Sequence, residues 1–129
     1  MVLVPISALY AALLGILIVI LMAAVILLRR SLRIGLGDGG NRDLQRAIRV
    51  HGNAVECVPI FLVMLVTLEI NRGSPTLLHF FGGAFLLARI LHAWGLYSSS
   101  GATRGRVGGT AITIFLLIAL AITNVLRLF

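Results

Sequence analysis

Four side chains in the stretch RAIRVHGNAVECVP (46–59) are equipped for ligand chemistry: Arg46, Arg49, Asn53 and Glu56. An arginine fork grips a carboxylate through paired hydrogen bonds, an amide both donates and accepts, and a carboxylate accepts from an ammonium. Taking Arg46 as zero and about 100° per helical residue, Arg49 falls at about 300°, Asn53 at about 340° and Glu56 at about 280°. All four share an arc of about 80°, a polar stripe about three turns long. His51, at about 140°, points elsewhere. A stripe of this kind suits an anionic ligand that also carries an amine. A structural reading stands beside it, with Arg49 and Glu56 paired two turns apart and bridged by Asn53 or a neighbouring helix. Buried pairs yield little net stability, so pairing alone does not account for the stripe, and both readings stay open on chemistry alone.

Further polar groups lie downstream. In RILHAWGLY, Arg89 and His92 are spaced i, i+3 and share a helix face. They could line one pocket with the stripe, or His92 could serve only as an interhelical hydrogen-bonder. Arg104 and Arg106 head the last apolar run, as candidates for the site or as anchors at the membrane surface. Glu69 and Arg72 have the spacing of an interfacial pair, and His79 reads as structural. Cys57 is the sole cysteine, so an intrachain disulfide is excluded, and in an apolar helix it reads as packing. No zinc-ligand cluster, phosphate-binding glycine motif or Ser/His/Asp set is present, and no metal is expected.

The elements that must position these residues are transmembrane helices. The chain has 129 residues, 60% of them hydrophobic, against about 45–50% in soluble domains. Its 11 basic residues are all arginine and face only four acids, for a formal charge of +7. Because these arginines flank or enter apolar spans, they read as topology signals and anion ligands, and no nucleic-acid partner is expected. Val2–Leu28 carries no charge, too long a run for a signal peptide and suited to a retained first span. GLGDGGN (35–41), NRGSP (71–75) and SSSG (98–101) break the chain into four helices, about 5–33, 41–71, 75–98 and 104–128. Ser74 is placed to cap the third, with Pro75 at its first position. The expected fold is a single all-α domain, an up-down-up-down bundle of four spans.

Charge asymmetry orients it. Arg29, Arg30, Arg33, Arg42, Arg46, Arg104 and Arg106 gather at one end, and only Arg72 and Arg127 at the other. The positive-inside rule puts the connections 1–2 and 3–4 in the cytoplasm and both termini across the membrane.

The pattern Arg49-x-x-x-Asn53-x-x-Glu56-x-x-Pro59, opening the second of four spans, resembles the signature of the MAPEG family, the membrane-associated proteins of eicosanoid and glutathione metabolism. LLRRSLR, with the paired Arg29 and Arg30, and RILHAWGLY, with its Arg-x-x-His motif, fall where the family carries similar residues. The glycine-rich style of the first connection is most similar to the small bacterial branch. Relatives often carry a tyrosine one turn below the third-helix motif; here that place is Leu96, with Tyr97 beside it on another face.

The resemblance implies a homotrimer in a bacterial inner membrane, with sites between subunits at the cytoplasmic end. Glutathione would be the co-substrate, and a lipophilic molecule would arrive from the bilayer. Arg49, Asn53 and Glu56 would match the family's glutathione contacts, joined by Arg29 or Arg30 and by His92. Arg46 and Arg89 extend that set from the stripe and the third-helix pair. An arginine opening helix 4 stabilises the thiolate in family enzymes, and Arg106 is the nearest match here, with Arg104 the competitor. The implied activity is a glutathione transferase or peroxidase. Two alternatives remain: a non-enzymatic binding protein with the same bundle, and a small proton-coupled exporter. The arginines around Glu56 disfavour the exporter because they would repel a cationic drug.

Overall fold

A computed structural model describes residues 3–98 and 104–127, with the side chains of 96–98 and 104–106 outside that description. Four helices run in sequence: α1 (Pro5–Leu32), α2 (Arg42–Ile70), α3 (Pro75–Ser98) and α4 (Arg104–Leu126). Their limits differ from the expected ones by no more than two residues. All four are long and apolar enough to cross a membrane. The 28 residues of α1 extend about 42 Å, against a hydrocarbon core of about 30 Å.

Local chemistry sets the helix ends. α1 begins with Pro5 in its first turn and has no side-chain cap from Val4. The cap comes from α2 instead: Glu69 accepts from the backbone N–H groups of Ile6 at 2.9 Å and Ser7 at 2.7 Å. This overturns the expected pairing of Glu69 with Arg72, because an anion at a helix N-terminus satisfies orphan donors and meets the positive end of the helix dipole. α1 ends where Arg33 turns left-handed at φ 56° and Ile34 N–H reaches back to the Arg29 carbonyl at 3.0 Å. Asn41 then caps α2 by accepting from Asp43 and Leu44, both at 3.0 Å. After Ile70 the chain turns through Arg72 at φ 59° and Gly73, where a Cβ would lie 2.8 Å from the Leu68 carbonyl oxygen. Ser74 accepts from Leu77 N–H at 3.4 Å to open α3, with Pro75 first, as the sequence predicts.

The helices pack with α2 and α3 at the centre. α1 lies against α2 and α3, and α4 against α3 and α2, whereas α1 and α4 do not meet among the described residues. The main core joins all four through Leu14, Phe61, Leu65, Phe85, Leu116 and Leu120. The Phe61 and Phe85 rings stack with centroids 3.8 Å apart and planes 5° from parallel. On the α1–α3 seam the Tyr10 ring lies over Gly82, where no Cβ would fit, and its hydroxyl meets His79 Nδ1 at 3.1 Å. Large apolar side chains face outward along the spans, Ile16, Phe115 and Trp94 each being more than half exposed. An apolar exterior of this kind is the surface that a bilayer or a second copy covers.

Candidate functional site

The polar residues converge at the end where α1 finishes, α2 begins, α3 finishes and α4 begins. On α2 the expected stripe is present, but its members divide. Arg49 and Glu56 are exposed, whereas Arg46 and Asn53 are half-buried. The Arg49–Glu56 pair offered by the structural reading does not form; among the described residues the only ion pair is Arg46 with Asp43, at 3.5 Å within the first turns of α2. Arg46 is thus held along its own helix, in a partly exposed contact worth roughly 0.2–1 kcal/mol.

Asn53 turns toward the bundle. Its Oδ1 accepts from Arg89 Nη2 at 2.8 Å. Arg89 is only 2% exposed and directs Nη1 at the Thr113 hydroxyl, 3.4 Å away. Thr113 in turn donates to the Gly109 carbonyl at 2.7 Å. One guanidinium therefore ties α2, α3 and α4 together. A buried cation is costly; here two neutral oxygens share it, while its Nε has no hydrogen-bond partner among the described residues. Arg89 is enclosed behind Asn53, with its two acceptors on the flanking helices.

His92 is likewise enclosed, at 4% exposure, with Nδ1 and the Thr110 hydroxyl 3.1 Å apart. α4 comes close here because residue 109 is glycine: a Cβ on Gly109 would lie 2.7 Å from the backbone nitrogen of His92. Through Nδ1 His92 meets α4. Asn53 and Arg89 are brought into direct contact; His92 belongs to the neighbouring α3–α4 seam.

At the end of α1, Arg29 donates to the carbonyl of Gly37 at 2.8 Å and so pins the first connection. Arg30 and Arg33 are exposed, and with Arg29, Ile26, Ile34 and Gly35 they line an open groove of about 380 Å³. Of Arg29 and Arg30, either of which the resemblance implies as the ligand contact from α1, Arg29 is engaged in the turn and Arg30 is exposed. The side chains of Arg104 and Arg106, and of Tyr97, lie outside the described residues, although the backbone of α4 places residues 104 and 106 at this same end. Among the described residues, no group of three or more His, Cys, Asp or Glu side chains is placed to hold a metal ion.

Sequence spacing alone missed Thr113, the second acceptor of the Arg89 charge. A threonine in an apolar helix carries little signal by itself. Its one visible cue is Gly109, one turn before it, which lets α4 approach the buried polar end of α3.

An all-α bundle with four membrane-length helices, one end rich in arginine and polar side chains gathered just inside it, defines a small polytopic membrane protein with a polar site near one face. A family model described as the MAPEG family matches residues 7–126. The chain belongs to that family. It is 36% identical over 119 residues to the inner membrane protein YecN of Escherichia coli K12, covering 92% of this chain and 89% of YecN. It is also 41% identical over 61 residues, 47% of this chain, to the Synechocystis protein sll1147, described as uncharacterized.

Proposed function

We propose that the protein binds glutathione or a related acidic thiol on the outward face of α2, as a homotrimer whose neighbouring copy closes the site, and transfers that thiol to a lipophilic electrophile. One observation carries the reading: Arg49 and Glu56 stand exposed, flanking Asn53, on a helix otherwise suited to lipid. A charged side chain facing hydrocarbon costs at least ~2.5–3.5 kcal/mol, so the face calls for a polar occupant and a protein wall. A small peptide with carboxylates for Arg49 and an ammonium for Glu56 fits that demand. The arginine-rich end faces the cytoplasm in this reading, in accord with the asymmetry of charge between the two ends.

Chemistry follows from the same end. Free thiols have a pKa of about 8.5, and a nearby cation raises the thiolate fraction near neutral pH. Arg106 or Arg104 supplies that cation. The thiolate then attacks an electrophilic carbon that enters from the bilayer, an S–C bond forms, and the leaving group departs with its bonding pair. Purified protein in detergent tests the reading with a panel of low-molecular-weight thiols and a halogenated nitrobenzene. Thiol-dependent turnover is the expected result. Thermal stabilisation without turnover would make the protein a binding member of the same fold. No stabilisation by any thiol would overturn both.

A further inference from the structure

The buried guanidinium of Arg89 decides which way round Asn53 stands. A guanidinium has donors and no acceptor, so the carboxamide atom 2.8 Å from Arg89 Nη2 must be the oxygen. The amide nitrogen then lies on the other side of the carboxamide. Asn53 is partly exposed, and no described residue accepts a hydrogen bond from that nitrogen. Turned away from Arg89, it lies on the stretch of α2 that carries exposed Arg49 one turn before and exposed Glu56 one turn after.

Arg89 cannot readily swing away to release this arrangement. Its side chain is enclosed, and its second arm is directed at Thr113, whose own hydroxyl proton is committed to the Gly109 carbonyl. The polarity of the network is thus fixed from α4 through α3 to α2.

We infer that Arg89 is a positioning residue that locks Asn53 as a hydrogen-bond donor toward the ligand face. The face then selects at its middle a ligand group that accepts, such as a carboxylate or peptide carbonyl, over one that donates. Donors come first along the helix, from Arg49 and Asn53, and the acceptor Glu56 lies about 4.5 Å deeper than Asn53. A bound ligand is oriented with its acceptors toward the arginine-rich end and its ammonium toward the membrane interior. The ligand class rests on the function proposed above; the orientation of Asn53 does not.

Asn53→Asp separates orientation from packing. Aspartate keeps an acceptor against Arg89 and adds charge complementarity, but it places an oxygen where the donor stood. Four detergent-purified proteins are compared by melting temperature: wild type, Asn53→Asp, Arg89→Met and the double variant, with the uncharged Arg89→Gln replacing Arg89→Met if the latter does not fold. Asn53→Asp should melt at or above wild type, and the same change should lower the melting temperature when Arg89 is absent. Its glutathione affinity should fall on the order of tenfold or more, as expected for a lost charge-assisted bond. A melting temperature below wild type for Asn53→Asp, or an unchanged aspartate effect without Arg89, would overturn the inference. So would wild-type glutathione affinity in Asn53→Asp. If the wild type itself shows no glutathione-dependent shift, the thiol reading fails alone, and the four melting temperatures still decide the orientation of Asn53.

Discussion

Glu69, at the end of the second helix, caps the first helix: its Oε2 accepts the Ser7 backbone N–H at 2.7 Å while Oε1 takes that of Ile6. The two helices are therefore joined at the end opposite the polar site by a carboxylate that serves a helix not its own. Glu69→Ala should destabilise the bundle by about 1–2 kcal/mol, the usual worth of a cap with a dipole contribution. Glu69→Gln, which keeps one acceptor but loses the charge, should cost roughly half as much. Melting temperature in detergent reads both, and equal stability of Glu69→Ala and wild type would remove the capping role.

Arg49→Ala and Glu56→Gln should change the stability of the ligand-free protein by less than about 1 kcal/mol, because neither side chain makes a hydrogen bond or ion pair within its own chain among the described residues. Each should abolish most of the shift that glutathione produces, since each would remove one charged contact worth about 1.5–3 kcal/mol. Retention of the full shift in both would mean that the thiol binds elsewhere.

Arg106→Ala and Arg104→Ala address the chemistry. Under saturating glutathione, the variant lacking the thiolate-stabilising arginine should lose turnover by roughly tenfold or more while binding is little changed, the sign of an interaction made chiefly during reaction. Steady-state kcat and KM with an electrophile measure it. Wild-type kcat in both variants would sink the assignment to helix 4.

Gly82→Ala and Gly109→Ala test the close approaches on either side of the third helix. A Cβ at residue 82 meets the Tyr10 ring, and one at residue 109 meets the backbone of His92 at 2.7–2.8 Å. Both should destabilise by about 1–3 kcal/mol, as overpacking does. Gly109→Ala should also weaken glutathione binding, because it would displace the α4 backbone that anchors Thr113. Gly108→Ala, where a Cβ meets open space, serves as the control in the same melting and binding measurements.

The fold was largely legible because membrane spans announce themselves through length and hydropathy, and breaks such as GLGDGGN and NRGSP are written in glycine and proline. The stripe was legible too, since helical geometry alone brings Arg49, Asn53 and Glu56 to one face. What projection cannot supply is which helix each side chain faces. Arg89 and His92 share a face of α3, yet one turns to Asn53 and the other to Thr110, and this depends on how closely Gly109 admits α4. Glu69 illustrates the same limit at the opposite end. Its spacing to Arg72 suggested a local pair, whereas the free N–H groups of α1 offered better partners more than sixty residues away in sequence.

Arg89 has both of its acceptors on helices other than its own, Asn53 on one already synthesised and Thr113 on one still to come. During insertion the third helix would therefore emerge with a charge that its own surface cannot shelter, and it is the least hydropathic of the four spans. Asn53 is in place to accept from Arg89 first, and Thr113 adds the second acceptor once the fourth helix has docked. A product truncated before Thr113 would leave the helix that carries the charge with one of its two acceptors missing.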